Sequence, residues 1–265
     1  MESDKVTPDC LVFDVDGVLI ESGDSYQGVM RAVVEDVSRA SGFEIDMPGY
    51  SKELNSVFKN NDSFNDDYDI IWALANIVVS RKGKKLSEAM PSPEALGKML
   101  STCSGDCGEW LPRHFAIKYG RLEIRALGQD AYCGVKNPPG MWTRDVPALE
   151  ARWESMPYPV YIYTGRDLKE WRLAEIVLKW EGFPLDRVVH ADTGIRKPSP
   201  KGLEYICGRF GHERPLFLGD TMGDRMAASG FGKGWFAAIG DLMPDAPLSF
   251  PDVKTALSSL IGWRP

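Results

Sequence analysis

Short apolar runs that stop abruptly at glycine or aspartate constrain this chain most. Cys10-Leu11-Val12-Phe13 is apolar throughout and ends in Asp14-Val15-Asp16-Gly17. Val160-Tyr161-Ile162-Tyr163 ends in Thr164-Gly165-Arg166, Leu216-Phe217-Leu218 ends in Gly219-Asp220, and Trp235-Phe236-Ala237-Ala238-Ile239 ends in Gly240-Asp241; Val188-Val189-His190 is a fifth, shorter run. Apolar residues in succession, without alternation, mark strands buried on both faces. Helical patterns lie between the late runs. Residues 168–181 place Trp171, Ala174, Val177 and Leu178 on one face, and Ser199-Pro200, a capping residue followed by proline, opens a helix that carries Leu203, Ile206, Cys207 and Phe210. Strands alternating with helices imply a parallel sheet, because parallel neighbours need crossover connections. The pattern predicts an α/β fold with a doubly wound parallel sheet.

Residues 23–144 read differently. Val29, Val33 and Val37 with Met30 and Val34 form one helical face; residues 70–79 form another helix, Ser92-Pro93 opens a third through Leu96, Met99 and Leu100, and residues 114–127 form a fourth. Asn60-Asn61-Asp62-Ser63 and Lys136-Asn137-Pro138-Pro139-Gly140 are expected as hinges or turns. This predicts a core built from residues 1–22 and 145–265, with an α-helical cap over 23–144 inserted after the first strand and serving as a lid on the strand ends.

The charge balance narrows the partners. With 31 basic and 38 acidic residues the formal net charge is −7, which argues against a coat for nucleic acid or anionic membrane. The five cysteines, Cys10, Cys103, Cys107, Cys133 and Cys207, are an odd number scattered over a long chain, and are expected as reduced thiols. The start, Met1-Glu2-Ser3-Asp4-Lys5, lacks the pattern of a signal peptide, and residues 70–79 are too short to span a bilayer. The expectation is a soluble, cytoplasmic protein with no membrane or nucleic-acid partner; the sequence is silent on oligomeric state.

Four strand ends carry polar residues, and ligands of open parallel sheets bind at the carboxyl ends of strands. Asp14 and Asp16 follow the first run, Thr164 the second, Lys197 lies beyond the third, and Asp220 with Asp224 follows the fourth. Carboxylates gathered in this way repel one another unless a cation sits among them, and hard oxygen ligands suit Mg²⁺.

Asp14-Val15-Asp16-Gly17-Val18, Thr164, Lys197 and Gly219-Asp220-Thr221-Met222-Gly223-Asp224, in that order and each at a strand end, resemble the four motifs of the haloacid dehalogenase superfamily. The position of the helical insert is similar to that of its subgroup with a helical cap, alongside phosphoglycolate phosphatases and β-phosphoglucomutases. The insert is longer than the common cap, so substrate contacts do not carry over by position. Asn65-Asp66-Asp67-Tyr68-Asp69 and Thr193-Gly194-Ile195-Arg196-Lys197-Pro198 resemble a branch associated in some organisms with histidine-biosynthesis genes.

The resemblance implies a Mg²⁺-dependent phosphatase acting on a small phosphorylated metabolite. Asp14 would be the nucleophile that forms an aspartyl-phosphate, and Asp16 the general acid and base. Thr164, the Gly165 N–H and Lys197 would hold the phosphoryl oxygens, while Asp14, the Asp16 carbonyl, Asp220 and Asp224 would hold the metal. A carboxyl at position 16 fits phosphate esters better than alkyl halides, and the Asp-Lys-Thr-Gly-Thr string of transport ATPases is absent. Two other readings use the same residues: a phosphomutase, and a non-catalytic sensor that keeps the metal and phosphate pocket.

Several residues invite sharper stories than their context supports. Arg166 could reach a substrate anion, but an arginine at a helix start is more often solvated or paired with a carboxylate. Asp192 could position Lys197, though a loop aspartate more often closes an Asx turn. Cys103 and Cys107 lack a second ligand pair, and His114, His190 and His212 lack a nucleophile elbow. Trp171 and Trp180 are expected in the core and Trp72, Trp110 and Trp142 are candidates for a substrate cleft. Asp62, Asp66, Asp67 and Asp69 lack the spacing of a calcium loop and read as a helix N-terminus or a solvated edge.

Overall fold

The computed structural model describes residues 6–61, 63–64, 66–136 and 138–264. Residues 1–5, Asp62, Asn65 and Asn137, singled out above, lie outside the described residues. The chain forms two compact units, one of Met1–Ser22 with Asp145–Pro265, the other of Gly23–Arg144. No helix among the described residues is long and apolar enough to cross a membrane.

The discontinuous unit is built on a six-stranded sheet. Its strands are β1 (Cys10–Phe13), β4 (Val160–Tyr163), β5 (Val188–Val189), β6 (Pro215–Gly219), β7 (Trp235–Ile239) and β8 (Ser249–Phe250), in the spatial order β5-β4-β1-β6-β7-β8. Every adjacent pair is parallel. The chain builds outward from β1 through β4 and β5 on one side, then returns to β6 and builds outward on the other. The reversal falls between β1 and β6, where an open α/β sheet forms its ligand crevice. A two-stranded antiparallel pair, β2 (Ile20–Glu21) with β3 (Val146–Pro147), joins the segments on either side of the second unit.

Both faces of the sheet are covered, which is why its strands read as continuous apolar runs. Leu11 and Phe13 of β1 face a core shared with Ile162, Trp171, Trp180, Leu216, Leu218 and Val253, packed by α8 (Leu168–Leu178) and α11 (Val253–Ile261). Cys10 and Val12 face the opposite core with Tyr161, Phe217, Leu203 and Ala227, packed by α9 (Lys201–Phe210) and α10 (Met222–Phe231). Trp171 is fully buried, and truncating such a side chain to alanine costs about 3–5 kcal/mol.

Helix α8 begins on a reciprocal cap, with Asp167 Oδ1 accepting from the Glu170 N–H at 2.8 Å and Glu170 Oε2 from the Asp167 N–H at 3.3 Å. It stops three residues before the pattern suggested. Lys179 takes a left-handed conformation (φ 57°). The Trp180 N–H bonds back to the Glu175 carbonyl at 2.8 Å, and its indole donates to the Ala151 carbonyl at 2.7 Å. Trp180 is therefore core, as expected, but from just beyond the helix. Helix α9 begins at Lys201 with Pro200 as its cap residue, one position later than the Ser199-Pro200 reading.

The Gly23–Arg144 unit contains α1 (Gly23–Ala40), α2 (Lys52–Lys59), α3 (Asp67–Val79), α4 (Leu86–Ala89), α5 (Pro93–Leu100), α6 (Cys107–His114) and α7 (Arg121–Cys133). Tyr68 through Val78 of α3 are all buried, so this helix is the unit's centre, packed by α1 and α7. The helix expected over residues 114–127 is two elements: α6 ends at His114 and α7 starts at Arg121. Asn76 explains the break, because its Oδ1 accepts from the N–H groups of Lys118 (2.9 Å) and Tyr119 (3.1 Å) while its Nδ2 donates to the Tyr119 carbonyl (3.0 Å). A buried amide at the core helix ties down an extended connection that apolar spacing alone read as helical. Trp72 and Trp110 are buried inside this unit and donate to the Tyr119 carbonyl and Thr102 Oγ1. Asp66 caps α3 through the Tyr68 N–H at 2.9 Å, in line with the helix N-terminus reading.

Candidate active site

The carboxyl edge of the sheet gathers four charged groups at the switch point. Asp14 extends β1, its N–H reaching the Leu218 carbonyl of β6 at 2.9 Å, and its side chain is buried. Asp220 follows β6 directly. Asp224 lies in the first turn of α10 and is fully buried. One ligand oxygen from each of Asp14, Asp220 and Asp224 lies within 4.8 Å of the other two. Lys197 enters the cluster with Nζ 2.8 Å from Asp14 Oδ1 and 2.6 Å from Asp224 Oδ1.

Local structure fixes each group. Gly17 turns the chain with φ +75°, and a Cβ there would fall 2.3 Å from Asp220 Oδ2, so the residue must be small as well as left-handed. Thr221 and Asp224 form a reciprocal cap: Asp224 Oδ2 accepts from Thr221 Oγ1 (2.6 Å) and the Thr221 N–H (3.0 Å). That leaves Asp224 Oδ1 toward Lys197, an ion-pair contact without hydrogen-bond alignment. Lys197 also lies over the Tyr163 ring, 5.8 Å from its centroid, and the Tyr163 hydroxyl donates to the Ser199 carbonyl at 2.8 Å, steadying the lysine loop.

Three carboxylates face one ammonium, and the electrostatics register the deficit. Burial, with Lys197 opposing and the Asp224 and Asp16 charges adding, raises the Asp14 pKa to about 7. Burial and the charges of Asp14 and Asp224 raise that of Asp220 well above the carboxylate range. Burial opposes the charge on Lys197, but the two aspartates outweigh it and raise its pKa. Asp220 Oδ1 is buried with no hydrogen-bond partner. A buried, unpaired carboxylate oxygen beside two others is costly unless a cation completes it. Hard oxygen donors of this number fit Mg²⁺, with the remaining positions left to water or substrate.

Thr164 directly follows β4, is almost fully buried, and its Oγ1 accepts from the Arg166 N–H at 3.1 Å. Gly165 beside it is exposed, with open space where a Cβ would lie. Asp16 stands apart from the carboxylate cluster in a clamp. Arg166 donates Nε to Asp16 Oδ2 (3.0 Å) and Nη2 to Asp16 Oδ1 (2.6 Å), and Nη2 also reaches Asp145 Oδ2 at 3.1 Å. Arg166 is 1% exposed. Burial would raise the Asp16 pKa, but the Arg166 charge and hydrogen bonds, helped by Ser22, hold it below the usual range.

Arg166 thus takes the carboxylate-paired reading, and its partner is the residue expected to move protons. The Thr-Gly-Arg string carried that signal; Asp145, 21 residues upstream of Arg166, carried none. The Asp192 carboxylate serves another purpose: its Oδ2 accepts from the Leu168 N–H, the first residue of α8, at 2.9 Å.

Three clustered carboxylates and a lysine thus meet at the switch point of a doubly wound parallel sheet, the place where open α/β folds bind their ligands. No protein-family model and no curated protein sequence matches this chain. Among solved structures it is similar to phosphatase Tt82 from Thermococcus thioreducens, at 24% identity and TM-score 0.69, over 96% of this chain and 99% of that one. It is similar to a predicted phosphoglycolate phosphatase from Haemophilus somnus, at 17% identity and TM-score 0.55, over 96% and 98% of the two chains. A subfamily IA hydrolase of the HAD superfamily from Geobacter sulfurreducens shares 14% identity with TM-score 0.51, over 96% and 100%. At these identities the likeness establishes the fold: an α/β core with a helical insert, as in these solved hydrolases.

Proposed function

We propose that this protein is a Mg²⁺-dependent phosphomonoesterase that hydrolyses a small phosphorylated metabolite through an aspartyl-phosphate. The observation that carries the reading is the trio Asp14, Asp220 and Asp224, in which Asp14 and Asp224 pair with Lys197 while Asp220 Oδ1 is buried and unpartnered. The solved phosphatases of this fold support the same reaction type.

In this reading Asp14, Asp220, Asp224 and the Asp16 carbonyl hold Mg²⁺. The bound ion supplies positive charge that offsets the approach of a phosphate dianion to a carboxylate. An Asp14 oxygen attacks phosphorus while the bond to the leaving oxygen breaks, and Asp16 gives that oxygen a proton. In the second step Asp16 takes a proton from water, the water oxygen attacks phosphorus, and the bond to Asp14 breaks, releasing phosphate. Lys197, Thr164 and the Gly165 N–H hold the phosphoryl oxygens. Lys197 then exchanges its contacts with Asp14 for contacts with the ligand.

Arg166 sets the resting state of Asp16. The bidentate pair favours the ionised, oriented carboxylate, ready to deprotonate water, and the proton-donating step requires that pair to open. The Gly23–Arg144 unit is proposed as the cap that selects the metabolite, and the other unit as the catalytic core.

A screen of phosphorylated metabolites with Mg²⁺, including histidinol phosphate, phosphoglycolate and sugar phosphates, tests the proposal. Stoichiometric free phosphate from one class of ester is the expected result. Isomer formation without phosphate release would replace hydrolysis by phosphoryl return, and no Mg²⁺-dependent turnover of any ester, generic aryl phosphates included, would leave only a binding role.

A further inference from the structure

The opposite edge of the sheet holds a second cluster of ligand-type side chains that phosphoryl chemistry does not use. Asp9 precedes β1, Cys10 begins it, and His212 follows α9 in the connection to β6. One ligand atom from each of these three lies within 4.8 Å of the other two. Cys207 of α9 neighbours Cys10 and adds a second sulfur beside the trio. All four lie at the amino ends of the strands, across the sheet from Asp14 and Asp220.

The geometry is poorly explained by direct pairing. His212 Nδ1 lies 3.8 Å from Asp9 Oδ1, beyond hydrogen-bond reach. Ligand atoms about 2.0–2.1 Å from one tetrahedral zinc ion stand roughly 3.3 Å or slightly more apart, close to that separation. The other ring nitrogen is already committed, since His212 Nε2 meets the Tyr161 hydroxyl at 2.8 Å. Metal-binding histidines are oriented in this way, with the remote N–H held by a second group. The Asp9 carboxylate is fixed as well, accepting from the Glu213 N–H at 2.8 Å and the Arg214 N–H at 3.1 Å. Cys207 and His212 also line an open cavity of ≈ 410 Å³ together with Glu204 and Lys233, which gives a solvated ion a way in.

We propose that Asp9, Cys10 and His212 form a binding site for a borderline-soft divalent ion of the zinc type, with Cys207 beside its fourth position. One nitrogen, one sulfur and one carboxylate oxygen suit Zn²⁺ and not Mg²⁺, so the two edges of the sheet select different metals. On binding, the Cys10 S–H bond breaks, the sulfur keeps the electron pair and donates it to the ion, and the proton passes to water.

Titration of the metal-stripped full chain with Co²⁺ under reducing conditions tests this. The first equivalent is expected to raise a thiolate-to-cobalt charge-transfer absorption in the near ultraviolet, which carboxylates cannot produce, and Zn²⁺ should abolish it. Asp220→Asn, at the other edge, should leave the band intact. His212→Ala should weaken Co²⁺ binding by about tenfold or more, and Tyr161→Phe by about tenfold through loss of the orienting contact. Cys10→Ser should remove the band. Since Cys10 is buried and its variant could fail to fold, His212→Ala, at a site near the surface, is decisive with circular dichroism as the check on folding. Absence of a thiolate band at stoichiometric Co²⁺, or a band of undiminished affinity in folded His212→Ala, would overturn the proposal.

Discussion

Each unit buries or half-buries a group of aspartates, and the two groups are compensated differently. In the helical unit Asp66 meets Arg125 at 2.8 Å, Asp67 meets Lys59 at 2.7 Å, and Asp69 takes two hydrogen bonds of 2.5 Å from Arg121. Each carboxylate there has its own cation. In the sheet unit Asp14 and Asp224 share Lys197, and the buried Oδ1 of Asp220 beside them has no hydrogen-bond partner. Density of acidic residues is therefore no guide to chemistry; the shortage of cations is. A fully paired cluster stabilises its fold, whereas an underpaired one stores unfavourable charge that a ligand can relieve.

Removing the proposed nucleophile should separate the two groups most sharply. Asp14→Asn is expected to lower kcat on the order of 10⁴-fold or more, read as phosphate release, while circular dichroism stays native. A comparable kcat in this variant would remove Asp14 from the chemistry.

Loosening the Asp16 clamp should have a smaller effect. Arg166→Met is expected to lower kcat by about 10–100-fold, within what positioned acid–base groups contribute. Because the clamp favours the base form, hydrolysis of the phosphoenzyme should slow more than its formation, so the steady-state level of aspartyl-phosphate should rise. An unchanged level with lowered kcat would mean that Arg166 acts elsewhere.

The matching change in the helical unit should touch stability alone. Asp69→Asn removes a bidentate pair whose arginine is 45% exposed, so the loss is about 1–2 kcal/mol, read as a lower Tm with unchanged kcat. A large drop in kcat would show that this group is more than structural.

The smallest effect is pH-dependent. In metal-free protein Asp14 titrates near 7 because burial outweighs Lys197, whereas in the unfolded chain it titrates near 4. Between about 4 and 7 the folded chain keeps a proton that the unfolded chain has lost, so this group's contribution to stability is full at low pH and declines as pH rises through that window. The Tm increment from added Mg²⁺ should therefore grow as pH rises toward 7 and above. An increment independent of pH would contradict the proposed competition between proton and metal.

Much of this architecture was legible because its determinants are local. Strands buried on both faces, such as Val160–Tyr163 and Trp235–Ile239, must be apolar throughout, and their ends are marked by the first polar residue. Order along the chain then groups Asp14, Lys197, Asp220 and Asp224, since a parallel sheet brings its carboxyl ends together. Strand β8 escaped notice because Ser249–Phe250 is two residues long and half polar. The break between α6 and α7 rests on Asn76, about forty residues away. The Asp16–Arg166–Asp145 clamp joins groups 150 and 21 positions apart. Contacts of that kind have no periodicity and no local signature; they exist only once the chain has folded.

The central claim is that the shortage of cations around Asp14, Asp220 and Asp224 is met by Mg²⁺. Calorimetric titration of the intact protein with Mg²⁺ tests it most directly, with Asp220→Asn and Asp69→Asn as the paired variants. The account predicts one ion per chain in the native protein, binding weakened at least about tenfold in Asp220→Asn, and native binding in Asp69→Asn. No saturable Mg²⁺ binding, or equal binding in native protein and Asp220→Asn, would contradict it.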